Sequence, residues 1–108
     1  MRFITSTREF QSIYQNYTKF SGNLFIYLIE NNSSEEEFAV GIVTSKKVGK
    51  AVRRNKIKRR VKSFFRENRA QISAKGKMII IAKPAAADAD WQEIKKELHD
   101  FLEKIKTK

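Results

Sequence analysis

Apolar residues recur at three- and four-residue spacing near the start of the chain, give way to short unbroken runs in the middle, and return to helical spacing at the end. Ser6-Thr7-Arg8-Glu9 has capping-box spacing, and Phe10, Ile13, Tyr14 and Tyr17 follow at helical intervals, which predicts a short helix from about Thr7 to Tyr17. After the turn-like Ser21-Gly22-Asn23, the run Leu24 to Ile29 is rich in aromatic and β-branched residues and predicts a strand. The polar stretch Asn31 to Glu37 reads as an exposed connection, and Phe38 to Thr44 as a second strand forming a hairpin with the first. Ser45 to Val52 reads as a loop leading into a helix that begins near Arg53. At 100° per residue, Ile57, Val61, Phe64 and Phe65 fall on one side of that helix; Asn55, Arg59, Lys62 and Arg66 fall on the other, with Lys56 and Lys58 at the margins. Gly76 interrupts the pattern, and Lys77 to Lys83, bounded by Pro84, predicts a third strand whose continuous apolar run suits an interior position. Ala85-Ala86-Ala87 reads as a linker into a C-terminal helix capped by Asp90 with Glu93 three residues on, its stripe formed by Trp91, Ile94, Leu98, Phe101, Leu102 and Ile105.

These elements predict one domain over residues 1–108: an α/β (α+β) two-layer sandwich with three helices and a small mixed sheet of about four strands, in the order α-β-β-(β)-α-β-α. If the strands flanking the middle helix are parallel neighbours, that helix is the crossover of a βαβ unit; the sequence leaves its handedness open. Eight Phe, three Tyr and one Trp supply apolar area for a packed core rather than a disordered tail. With no Cys, neither disulfides nor thiolate metal sites can form, which fits a reducing interior. Neither a secretory signal nor a run of about 20 apolar residues is visible, so the expectation is a cytoplasmic protein without membrane contact.

Charge sharpens this picture. The chain carries +11, and the window from Lys46 to Arg69 holds twelve Lys or Arg (Lys46, Lys47, Lys50, Arg53, Arg54, Lys56, Lys58, Arg59, Arg60, Lys62, Arg66, Arg69) against Glu67 alone, so the rest of the chain is neutral. A neutral scaffold presenting so focused a charge points to a polyanion, with nucleic acid leading. A merely solvated helix face would mix acids among its bases, and from Lys46 to Arg66 there are none. A membrane-surface helix is the other alternative, but its apolar residues are better used as core in so small a domain. Side-chain catalysis finds no support: there is no nucleophile with a base, no pair of catalytic carboxylates and no metal cluster. His99 is the only histidine, Glu35-Glu36-Glu37 lack a second ligand type, and Gly49 lacks the companion glycines of a nucleotide loop.

Thr44-Ser45-Lys46-Lys47-Val48-Gly49-Lys50-Ala51-Val52-Arg53-Arg54-Asn55-Lys56-Ile57-Lys58-Arg59 closely resembles the signature of the bacterial ribonuclease P protein subunit, in which an Arg-Asn dipeptide is followed shortly by Lys-Arg. Arg8 to Tyr14 resembles the family's first helix, Gly22 to Tyr27 its first strand, and Met78 to Pro84 its Ile-rich strand ending in Ala-basic-Pro. The resemblance implies a protein that joins a catalytic RNA to remove the 5′ leader from precursor tRNA, the RNA performing the hydrolysis with Mg²⁺. It implies that Arg54, Asn55, Lys56, Lys58, Arg59 and Lys62 face that RNA, a surface that Lys46, Lys47, Arg53 and Arg66 of the same basic window are expected to extend, and that Phe10, Tyr14 and Tyr27 line a cleft for the single-stranded leader. No obligate protein partner and no metal-binding motif is evident in this sequence, and Mg²⁺ is expected through the RNA partner. Lys62 and Ser63 stand where the family commonly has Arg and an acidic or amide residue. Two other classes remain open on sequence: a ribosomal or general RNA-binding protein, and a DNA-binding regulator, which would need a helix-turn-helix or a dimer interface.

Overall fold

The sheet is organised around Lys77–Ala82, the most continuous apolar run of the chain. In the computed structural model, which describes residues 1–106, the elements in chain order are β1 (Arg2–Phe3), α1 (Thr7–Gln15), β2 (Tyr17–Ser21), β3 (Phe25–Glu30), β4 (Ala39–Val43), α2 (Ala51–Glu67), β5 (Lys77–Ala82) and α3 (Trp91–Lys106). Short 3-10 turns occupy Lys46–Val48, Arg69–Gln71 and Pro84–Ala87, the last spanning the predicted linker Ala85-Ala86-Ala87. The strand order is β1-β4-β5-β3-β2, with β1, β4 and β5 parallel to one another and β3 antiparallel to both β5 and β2. The mixed α and β architecture is as expected, with five strands rather than about four. Because β4 and β5 are parallel neighbours, α2 is the crossover of a βαβ unit.

Two expectations need correction. The strands β3 and β4 are not a hairpin, because β5 lies between them. Met78, Ile79 and Ile80 are buried, alternating between the α2–α3 face and the α1 face, and both hydrogen-bonding edges of β5 are taken, one by β3 and the other by β4. The hairpin partner of β3 is instead β2. Nor does α1 reach Tyr17: it ends at Gln15, and Asn16 is already extended with φ −158°. The Asn31 amide donates to the Asn16 carbonyl, and the two side chains bond at 2.9 Å, so the chain leaves the helix directly into strand pairing.

Strand alternation divides the core between the two faces of the sheet. Phe25, Tyr27, Val40, Met78 and Ile80 pack toward α2 and α3, meeting Ile57, Val61, Phe64 and Phe65 of the first and Ile94, Leu98 and Phe101 of the second. Leu28, Ala39 and Ile79 point the other way and are covered by Ile4 and by Ile13 of α1. Contact there is close because residue 41 is glycine: a Cβ at Gly41 would stand 2.5 Å from the ring of Phe10. Capping-box bonds start α3, with the Glu93 amide donating to Asp90 at 2.8 Å and the Asp90 amide reaching back to the Glu93 carboxylate. The Glu97 carboxylate ties α3 to the hairpin by accepting from the backbone of Leu24 and Phe25 and from the Tyr27 hydroxyl, at 2.8 to 3.0 Å.

Candidate nucleic-acid interface

The residues around α2 violate the usual rules for starting a helix. Lys50 occupies the N-cap position without a side-chain cap bond, and no acid stands in the first turn. Instead Lys50, Arg53 and Arg54 cluster at the end of the helix where free amide groups and the helix dipole are already positive. Each such charge is unfavourable by roughly 0.3–1 kcal/mol in isolation, a cost that an anion beside the turn would reverse. The 3-10 turn just before it adds Lys46 and Lys47, both exposed. Gly49 joins the two turns at φ +133°, a conformation other residues rarely adopt.

Along the helix, buried Ile57, Val61, Phe64 and Phe65 form the back. Asn55, Lys56, Arg59 and Arg66 are exposed on the front, while Arg54, Lys58 and Lys62 are half-buried beside them. Lys62 and Arg66 also lie over the Phe3 ring, at 5.6 and 5.4 Å from its centroid, so β1 supports the C-terminal end of the cationic face. Arg53 is held differently from the rest of the predicted set, since its guanidinium pairs with Asp88. Arg60 turns toward the same segment and donates to the Ala89 carbonyl. No acid pairs with Lys46, Lys47, Lys50, Arg54, Lys56, Lys58, Arg59, Lys62 or Arg66 among the described residues. Lys50 belongs with this set; its position in the uncapped first turn was the available signal.

A second surface lies on the face of the sheet that α1 covers. One flank of α1 is tied to one end of the sheet: Glu9 pairs with Arg2 at 2.7 Å and Lys77 at 3.2 Å, and the Ser12 hydroxyl donates to Glu30 at 2.8 Å. The hydrogen bond from Arg2, reinforced by Lys77, holds the Glu9 carboxyl at about 2. Phe10 and Tyr14 occupy the opposite flank by helical geometry and so look along the strands toward the row Val43–Ile81–Ile26, which is only partly buried. Pairing register puts Tyr17, Lys19 and Ser21 of β2 on this same face, opposite Glu30, Leu28 and Ile26. Lys83 closes the far side by donating to the Ser21 hydroxyl and the Gly22 carbonyl. The result is a shallow groove with an apolar floor, aromatic residues along one wall and cations at its rim.

Tyr27 is not part of this groove. It projects from the opposite face of β3, is 1% exposed, and stacks on Phe101 at 3.7 Å between ring centroids. Burial, then the bond to Glu97, pushes its hydroxyl far above the ordinary tyrosine range. The structure thus brings Phe10 and Tyr14 together and assigns Tyr27 to the core between the sheet and α3.

Among the described residues, no group of three or more His, Cys, Asp or Glu is placed to hold a metal ion. His99 is exposed on α3, 4.0 Å from Glu103. Among the described residues, no helix is long and apolar enough to cross a membrane.

The family model described as Ribonuclease P matches residues 2–106. The ribonuclease P protein component of Listeria monocytogenes is 35% identical over 99 residues, covering 92% of this chain and 83% of that protein. The corresponding protein of Halalkalibacterium halodurans is 31% identical over 103 residues, covering 95% and 87%. Among solved structures, the RNase P protein of Staphylococcus aureus superposes with a TM-score of 0.82 at 35% identity, covering 94% of this chain and 92% of that one. That of Thermotoga maritima gives 0.79 at 28% identity, covering 91% and 92%.

Proposed function

The chain belongs to the ribonuclease P protein family, and we propose that it acts in the cytoplasm as the RNA-binding subunit that assists removal of the 5′ leader from precursor tRNA. The outward face of α2 and the turn before it dock on the catalytic RNA, and the groove beside α1 receives the single-stranded leader. The observation that carries this reading is the uninterrupted cationic face on a helix whose back is core and whose first turn opposes its own dipole.

Function follows from binding alone. Lys46, Lys47, Lys50, Lys56, Arg59 and their neighbours neutralise phosphates and release condensed counterions; Arg59 and Arg66 can also present a bidentate fork, and Asn55 a donor and an acceptor. Were each unpaired cation to contact one phosphate, the log–log slope of affinity against salt would approach about −6 to −8. In the groove, Phe10 and Tyr14 offer ring faces to unpaired bases, each stack contributing about 1–3 kcal/mol, while Lys19 and Lys83 attract the backbone. Holding the leader adds binding energy that mature tRNA cannot use, so precursor is favoured over product. Mg²⁺ serves the hydrolysis when bound by the RNA; among the described residues the carboxylates do not gather into a ligand set.

The test is cleavage of precursor tRNA by the cognate RNA at low Mg²⁺, with and without the protein, beside binding of precursor and mature tRNA to the assembled complex. Faster cleavage and preferential binding of leader-bearing tRNA are expected. Cleavage indifferent to the protein refutes the proposal. Equal binding of precursor and mature tRNA would instead favour a general RNA-binding role.

A further inference from the structure

The aromatic surface beside α1 extends beyond Phe10 and Tyr14. Among the described residues the exposed large apolar side chains are Tyr14 at 44%, Tyr17 at 41% and Val52. Tyr17 is the first residue of β2, the edge strand of the sheet, and its register opposite Glu30 places it on the α1 face, two residues from Lys19. Neither tyrosine hydroxyl makes a hydrogen bond within the described protein, yet they are close enough that Tyr17 adds to the upward shift that burial imposes on Tyr14. Two neighbouring tyrosines, each more than two-fifths exposed and with free hydroxyls, are more than strand propensity requires.

We propose that Tyr17 is a stacking platform for a base of the single-stranded 5′ leader, extending the groove from Tyr14 past the C-terminal end of α1 onto the edge strand. This rests on the leader-binding role proposed above. Charge selects RNA as the occupant. Lys19 and Lys83 lie on the same face, and the groove opens, at the C-terminal ends of β4 and β5, toward the cationic turn of Lys46 and Lys47. Charge also fixes what Tyr17 takes. Glu30 lies directly opposite it and pairs with no cation among the described residues, accepting only from the Ser12 hydroxyl, so phosphates are disfavoured there while a neutral base is not. From β4 to β2 the groove spans three interstrand steps, about 14 Å, and from Ser21 to Tyr17 it runs about 13 Å along the edge. A track of that size accommodates more than one base, with Tyr17 at its end.

The test uses holoenzyme reconstituted with wild-type, Tyr17→Ala or Tyr17→Phe protein, binding precursor tRNAs whose leaders lengthen one nucleotide at a time, with mature tRNA for reference. Wild type should gain affinity stepwise until the track is filled. Tyr17→Ala should lose one late increment, about 5- to 150-fold, while matching wild type on mature tRNA and the shortest leaders; Tyr17→Phe should retain it. A Tyr17→Ala profile that superimposes on wild type, or that is weakened equally for every RNA including mature tRNA, overturns the inference and leaves the leader-binding role standing. A wild-type profile flat in leader length overturns both.

Discussion

Replacing Lys56 and Arg59 with glutamine tests the α2 surface at two exposed positions that have no acidic partner among the described residues. Neither side chain supports the core, whose α2 contribution comes from Ile57, Val61, Phe64 and Phe65, so unfolding by urea should stay within about 0.5 kcal/mol of wild type. If each cation neutralises one phosphate of the catalytic RNA, its loss removes about 0.7–0.9 from the log–log slope of affinity against salt, or about 1.4–1.8 for the pair. Between 50 and 200 mM salt the variant should therefore lose about 7- to 12-fold less affinity than wild type, although it binds more weakly at the low-salt end. Filter binding of the RNA across that range measures both quantities. Lys96→Gln is the control: it also removes one positive charge, but from an α3 side chain paired with Asp100 at 3.0 Å and outside the proposed surface. Slopes for the double variant and wild type that coincide would refute the assignment of this face. Lys96→Gln having the effect of either α2 substitution would show that net charge, rather than location, governs binding.

Asp88→Asn should release Arg53 from its ion pair and steepen the same slope by about 0.7–0.9; an unchanged slope would place Arg53 out of reach of the RNA. The Glu9 carboxyl, depressed from 4.5 to about 2, contributes stability that is fully present above about pH 4.5 and is lost as pH falls toward 2. Glu9→Gln should therefore be less stable than wild type at neutral pH and show a flatter decline between pH 4.5 and 2, followed by urea unfolding at each pH; parallel curves would mean the network with Arg2 and Lys77 adds nothing. Tyr27→Phe removes a hydroxyl that donates to Glu97 while that carboxylate keeps its two backbone donors. It should cost about 1–2 kcal/mol in unfolding free energy and leave the preference for precursor over mature tRNA intact; loss of that preference without loss of stability would return Tyr27 to the groove.

The basic helix is legible in sequence because its two faces differ in chemistry, and each residue's side follows from spacing alone. The groove is less so, and the difficulty traces to one boundary. Tyr17 continues the spacing of Phe10, Ile13 and Tyr14, and reading it as the helix's last position removes β2 from the sheet. Without β2, the nearest partner for β3 along the chain is β4, and the hairpin is drawn across the place that β5 fills. The face of Tyr27 disappears with it. Phe25 to Ile29 is apolar at every position, so β3 carries no alternation from which parity could be read. The edge strand does: in Tyr17-Thr18-Lys19-Phe20-Ser21 only Phe20 is partly buried, packing edge-on against Phe101 at 5.8 Å, and Phe20 pairs with Tyr27. Register across that one pair puts Tyr27 with α3, and the same step puts Tyr17, Lys19 and Ser21 on the other side, beside α1. The residue that carries the helical pattern past the end of α1 is thus the one whose strand placement defines the groove's outer edge.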